Sequence, residues 1–212
     1  GRHVKKTHLS INNRLGWFIM ELPTVILMPY FFFRGSSEHN LVILCFLSLY
    51  MIHYLNRVFV FPFRLKTKGK KIPISIVFSA IIFNICNTYF IGYYFNKMSH
   101  LYDLKWFFSP YFIIGLLLFI TGAFINHQSD TMLIKLRKGP ETGYKVPFGG
   151  LFKYISCPNH FGEILEWFGF ALLTCSLPTL AFALWTIANL VPRAIQHHNW
   201  YHKKFKNYPK ER

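Results

Sequence analysis

Glu21 and Tyr54, with Arg57 close to them, stand where residues able to do chemistry are costly, inside segments otherwise apolar enough for lipid. A charge near a bilayer's interior costs at least about 2.5 kcal/mol. Glu21 lies about 9 Å into the first hydrophobic segment from one end, at 1.5 Å of helical rise per residue. Tyr54 and Arg57 lie about 13 and 9 Å from the same side in the second. Arg57 can snorkel along its aliphatic stem or neutralise Glu21. A further set gathers at matching depth: Asn126 and Asp130 at i, i+4 on one helix face, Asn159, Glu163 and Glu166 at the start of another helix, and Arg193, His197 and Tyr201 at the end of a third. Capping and dipole roles account for each singly, but not for their common level. Intramembrane ionisable residues facing one cavity point by default to a functional site. His198 and His202 are also i, i+4, but without a clear third ligand they read as an interfacial pair, and no metal is expected.

The elements that must hold these residues are helices. The chain has 212 residues, 52% hydrophobic and 19% aromatic, a composition unlike that of a soluble domain. Residues 15–33, 41–63, 72–95 and 107–126 are each long enough to cross a hydrocarbon core, which takes about 20 residues. Residues 164–192 as one helix would run about 43 Å. Ser176-Leu177-Pro178 interrupts them, and proline disfavours helix at its predecessor, so two helices are predicted, 159–175 and 177–196. The expected fold is an all-α polytopic membrane bundle with six spans in a single domain, residues 1–212.

Charge supports that count. Four Lys or Arg precede the first span, five follow the second, five follow the fourth and six close the chain, whereas Arg34, Lys97 and Lys105 alone fall opposite. Positive residues stay in the cytoplasm, so both ends and the basic loops are expected there. The membrane would be the endoplasmic reticulum of a eukaryote or the cytoplasmic membrane of a bacterium. The net charge of +16 then reflects orientation and contact with anionic membrane lipids rather than nucleic-acid binding. Cys45, Cys86, Cys157 and Cys175 lack CxxC spacing, so neither a disulfide framework nor a zinc site is indicated. The absence of an initiator Met suggests a start partway through a longer product.

One long cytoplasmic loop, residues 135–158, carries Gly139-Pro140, Gly143, Pro147 and Gly149-Gly150, which mark turns, together with Tyr144, Phe148, Phe152 and Tyr154. A pocket open to this basic surface and walled by apolar helices suits two ligands at once: a polyanionic cofactor from the cytosol and a hydrophobic substrate from lipid. Lys68, Lys70, Arg137 and Arg193 supply phosphate-binding charge. No G-x-G-x-x-G follows a strand, so any dinucleotide must be gripped by helices and loops.

GYKVPFGGLFKYISCPNHFGEILEWFGFALLTCSLPTLAFALW, with RAIQHHNWYHKKFKNYPKER after it, resembles the C-terminal domain of the steroid 5α-reductase family; WFIMELPT and HYLNRVFVF resemble its N-terminal motifs. The resemblance covers essentially the whole chain in order. It implies a seven-span fold of which spans two to seven are present, the first helix and a short apolar tail being absent. It also implies NADPH-dependent reduction of the C4–C5 double bond of a 3-oxo-Δ4-steroid arriving from lipid, and a monomer is expected. Hydride delivered to the β-carbon throws negative charge onto the ketone oxygen, where a donor stabilises the transition state. Glu21 and Tyr54 match the family's pair at that ketone. To donate there, Glu21 must carry its proton; otherwise Tyr54 donates and Glu21 accepts from another neighbour.

By the same motifs the resemblance implies cofactor contacts from Asn126 and Asp130 in NHQSD, Arg137, Tyr144 in GYKVP, Asn159 and Glu163 in NHFGE, and Arg193, His197 and Tyr201 in RAIQHHNWY. Lys70 stands where the steroid enzymes tend to have arginine, trading a bidentate grip for a point charge. Met20 stands where they commonly have glutamine. Alternatives on the same scaffold are reduction of a trans-2-enoyl thioester or a polyprenyl lipid. From other classes, a channel or transporter would need polar residues through the full membrane thickness, and a membrane methyltransferase would bind S-adenosylmethionine.

Overall fold

The computed structural model describes residues 9–34, 38–67, 69–136, 144–209 and 211–212. The fold is helical throughout, with one two-stranded ribbon. It forms two compact units, divided between Phe107 and Phe108. Among the described residues four helical stretches are long and apolar enough to cross a membrane: Asn13–Phe33, Leu41–Arg64, Ile74–Lys97 and Pro110–Lys135.

In the first unit, β1 (Ser10–Asn12) pairs antiparallel with β2 (Lys71–Pro73), Ile11 opposite Ile72. The third span therefore begins as a helix at Ile74 rather than at residue 72, because Pro73 holds Ile72 extended. Helix α1 (Asn13–Phe33) starts where the Asn12 side chain accepts from the Arg14 and Leu15 amides at 2.9 and 3.4 Å. That satisfies two of the donors a helix start leaves open. At its other end the Phe32 carbonyl accepts from Asn96 Nδ2 at 2.7 Å and contacts His39 Nε2 at 2.8 Å.

Asn40 caps α2 (Leu41–Leu55) through the Val42 and Ile43 amides, at 3.0 and 3.1 Å, while its own amide donates to the Ser99 and Tyr102 carbonyls. The second span continues through a π-helical turn, Asn56–Val60, into α3 (Phe61–Arg64). Arg14 closes this end, its guanidinium donating twice to the Leu65 carbonyl at 3.0 and 2.8 Å. Helix α4 (Ile74–Lys97) packs along α1, with Val77, Ile72 and Met20 forming a buried cluster edged by Trp17 and Ile81.

In the second unit, α5 (Pro110–Lys135), α6 (Pro158–Thr174) and α7 (Leu177–Lys204) follow one another. The break within residues 164–192 falls where it is expected: Cys175 is left-handed at φ 44° and Ser176 caps α7 on the Thr179 amide at 3.4 Å. Thr174, Ser176 and Thr179 share hydroxyl contacts of 2.7 and 2.8 Å in the buried turn. Helices α5 and α7 run on to Lys135 and Lys204, past the ends predicted at 126 and 196, because the polar turns that follow the apolar stretches keep helical spacing.

Helices α5 and α6 meet backbone to backbone. A Cβ on Gly115 would strike the Leu173 amide nitrogen and one on Gly122 the Glu166 nitrogen; Gly162 and Gly169 return the same contact on Asn126 and Phe119. The pairing runs antiparallel, and only glycine permits such an approach. Beyond Tyr144 the chain lies against α5, where Gly149 at φ 91° and Gly150 at φ 50° turn it beside Met132.

Candidate active site

In the first unit, Pro23 interrupts the hydrogen-bonding of α1 one turn after Ile19, since proline lacks the donor that would reach back. Glu21 sits at this irregular turn. Its Oε2 accepts from Asn84 Nδ2 at 3.2 Å, and the same amide donates to the Met20 carbonyl at 2.6 Å. Thr24, fully buried, returns its hydroxyl to the Glu21 carbonyl.

Tyr54, 4% exposed, stacks obliquely on Tyr50 one helical turn earlier, ring centroids 4.6 Å apart. Tyr50 has no exposed surface and meets Thr88 Oγ1 at 3.5 Å. Asn87, also buried, lies on the same face of α4 as Asn84 and Thr88. Three helices therefore contribute to one buried polar cluster: Glu21 from α1, Tyr50 and Tyr54 from α2, and Asn84, Asn87 and Thr88 from α4. A carboxyl and two phenols held in an apolar surround are hydrogen-bond donors and acceptors that water does not dilute.

Arg57 occupies the π-helical turn, a distortion frequent at functional sites. Its guanidinium lies over the Trp17 and Phe61 rings, 5.0 and 4.9 Å from their centroids. Trp17 and Phe61 themselves meet edge to face at 5.4 Å. The cation is thus held by ring faces between α1 and α3. Lys70, also in this unit, is exposed; its amide closes a turn on the Thr67 carbonyl at 2.9 Å, and its carbonyl accepts from the Asn13 amide at 3.1 Å.

In the second unit, the glycine contacts bring the polar residues of α5 and α6 against each other. Asn126 donates to the Asn159 carbonyl at 3.0 Å and reaches Glu163 Oε2 at 3.5 Å, and Asn159 donates to Asp130 Oδ1 at 3.2 Å. Four residues chosen from two motifs thus form one network. Asn126 and Asp130 are buried within α5, two and one turns before its end, rather than at the helix terminus.

Arg193, His197 and Tyr201 recur every four residues along α7 and share one flank. Arg193 is exposed; the His197 ring lies 5.9 Å from that of His160, and Tyr201 is buried flat against Tyr208 at 5.3 Å. Tyr144 meets Trp200 edge to face at 5.0 Å. Arg137 falls outside the described residues. His198 Nδ1 is engaged by Ser156 Oγ at 2.8 Å, and Tyr208 donates to the same Ser156 oxygen at 2.8 Å.

Reasoning from sequence missed Tyr50, Asn84, Asn87 and Thr88. The signal was present: Asn84, Asn87 and Thr88 at i, i+3, i+4 put three polar groups on one face of a lipid-length helix, and Tyr50 precedes Tyr54 by one turn. It also missed Ser156 and Tyr208, which become partners only through the turn after α7.

Residues 70–212 match the sequence profile described as 3-oxo-5-alpha-steroid 4-dehydrogenase. A steroid 5-alpha-reductase of Gossypium hirsutum is 40% identical over 207 residues, covering 96% of this chain and 80% of that protein. The 3-oxo-5-alpha-steroid 4-dehydrogenase 1 of Rattus norvegicus is 41% identical, covering 96% and 79%. That of Homo sapiens is 39% identical over 218 residues, covering 100% and 82%. Apolar helices of membrane-crossing length, a carboxyl–phenol cluster within them and this likeness along nearly the whole chain have one meaning: the chain belongs to the 3-oxo-5-alpha-steroid 4-dehydrogenase family of membrane oxidoreductases.

Proposed function

We propose that this protein reduces the C4–C5 double bond of 3-oxo-Δ4-steroids with NADPH, Glu21 and Tyr54 acting on the substrate ketone. The observation that carries the reading is the polar cluster within apolar helices, Glu21 held by Asn84 of α4 and Tyr50 meeting both Thr88 of α4 and the Tyr54 ring, in a chain about 40% identical to steroid 5-alpha-reductases. As hydride reaches the β-carbon, the electron pair of the C=C bond shifts toward the ketone and the oxygen becomes an enolate oxyanion. Proton donors already aimed at that oxygen stabilise it without reorganising, and loss of one typically costs about 2.7–4 kcal/mol. A proton then reaches the α-carbon to complete the saturated ketone. The apolar walls around Tyr50 and Tyr54 exclude the water that would weaken these interactions.

The donor set of the second unit fits a dinucleotide. Amides and carboxylates of Asn126, Asp130, Asn159 and Glu163 suit ribose hydroxyls and a carboxamide, the exposed Arg193 suits a phosphate, and Tyr144, His197 and Tyr201 offer ring faces and polar tips. Lys70 and Arg137 complete the proposed cofactor contacts as phosphate-binding charges. NADPH, when bound, supplies the hydride. The chain acts as a monomeric six-span membrane reductase, its basic loops in the cytosol, taking the steroid from the lipid phase; the one-sided distribution of Lys and Arg supports that orientation.

The test is turnover of purified protein in detergent with 4-deuterated NADPH and a Δ4-3-ketosteroid, with products read by mass spectrometry. Deuterium at the carbon β to the ketone is the expected result. NADPH oxidation that does not depend on an enone, or no transfer of label, overturns the proposal.

A further inference from the structure

We infer that Asn84 is a positioning residue for this reaction, fixing the carboxyl of Glu21 from α4 and assigning its proton to Oε1. The inference rests on Glu21 acting as a donor to the ketone, as proposed above. Asn84 is 5% exposed and stands in the apolar middle of α4, where an amide is costly unless both of its hydrogens are used. One is given to the Met20 carbonyl at 2.6 Å and the other to Glu21 Oε2 at 3.2 Å.

If α4 needed only to be held to α1, the backbone bond would suffice. The second hydrogen is spent on the side chain of the next residue, so the fork measures the carboxyl against the helix that carries it. A glutamate has rotamer freedom to lose on being ordered, and this bond removes part of it before substrate arrives.

The direction of the bond also carries information. An amide nitrogen donates only, so the oxygen it meets must accept. In a protonated carboxyl the accepting oxygen is the carbonyl one, which leaves Oε1 as the hydroxyl. Asn84 thereby decides which oxygen presents the proton, a choice that neither the length nor the placement of Glu21 makes.

The experiment compares Asn84→Leu, similar in volume but unable to donate, in the native background and with Glu21→Gln. In the native background turnover is expected to fall about tenfold, the loss of roughly one hydrogen bond, with NADPH affinity unchanged. With Glu21→Gln already present, the same change should cost nothing further, the signature of a residue that acts through its partner. Asn84→Gln, which keeps the donor, should recover part of the turnover. Asn84→Val, which carries no donor and no charge, should not, and it carries the comparison where the leucine variant does not fold. Independently of turnover, the infrared band of the protonated carboxyl, assigned by its loss in Glu21→Gln, should move when Asn84 is replaced.

Equal losses in both backgrounds, full turnover of Asn84→Leu, or a carboxyl band that is absent or does not move would each overturn the inference. A wild-type protein that reduces no enone overturns instead the reading of the site. An active wild type with an inactive Glu21→Gln and an unaffected Asn84→Leu removes Asn84 alone.

Discussion

The side-chain amide of Asn126 donates to the main-chain carbonyl of Asn159 across 3.0 Å, tying the interior of α5 to the first turn of α6. Because Asn159 spends its own amide on Asp130, breaking either link unsettles the other. Asn126→Leu and Asn159→Ala are each expected to raise the KM for NADPH about fivefold, consistent with a lost hydrogen bond near 1 kcal/mol, with kcat changed less than threefold. Initial rates over an NADPH titration at saturating steroid check this; an unaltered KM removes the pair from the cofactor site.

The phenols of α2 have separable duties. Tyr54→Phe is expected to lower kcat about 100- to 1,000-fold if its hydroxyl bears the oxyanion, leaving NADPH affinity intact. Tyr50→Phe should leave a smaller deficit in rate and a loss of stability of about 1 kcal/mol, as Thr88 loses a buried partner. Steady-state kinetics and thermal melting in detergent of the two variants side by side distinguish the roles. Matching rate losses would make both part of a single structural unit.

Glycine matters differently at two kinds of position. At Gly122 and Gly162 an added Cβ meets backbone of the opposite helix, which cannot rotate away. Gly122→Ala and Gly162→Ala should therefore destabilise by about 1–3 kcal/mol or more. Gly69→Ala meets nothing within 4 Å, and its φ of 75° alone should cost about 1 kcal/mol. Melting temperatures rank the three, and equal melting of Gly122→Ala and Gly69→Ala would contradict the close approach of the helices.

The turn after α7 is pinned by the buried Tyr208. Ser156→Ala removes the oxygen that Tyr208 and His198 share, at 2.8 Å each. Trypsin should then cut at the exposed Lys206 several times faster than in the parent protein, while the core helices resist. Time courses followed by intact mass report the difference, and identical rates would show that the aromatic stack of Tyr201 on Tyr208 suffices.

The helical character and the break at Pro178 were legible, because membrane-length apolar runs and a mid-stretch proline are strong local signals. The ends of the helices were less so. Helical spacing in the polar turns that end α5 and α7 carries no hydropathy contrast, so Lys135 and Lys204 as last residues were not readable. Nor was the pairing of Ser10–Asn12 with Lys71–Pro73, a contact between distant segments too short to show a period.

At the candidate site, charge and motif drew the eye to Glu21, Tyr54 and the polar residues of α5 and α6, whereas Asn84, Asn87 and Thr88 were passed over because neutral polar residues lower a span's hydropathy only slightly. Their meaning lies in which neighbour they face. For Arg57 the sequence left snorkelling or neutralisation open; the ring faces of Trp17 and Phe61 around it could not be read from spacing, since Phe61 arrives through a π-helical turn.

With main chain touching main chain at Gly115, Gly122, Gly162 and Gly169, α5 and α6 behave as one stiff beam rather than two hinged rods. Asn126, Asp130, Asn159 and Glu163 ride on the end of that beam at separations its geometry dictates. Drift in the lipid-facing side chains of either helix therefore leaves their spacing untouched. The first unit, whose own cluster depends on side chains, is where selection can retune what is recognised without disturbing the spacing of these four residues.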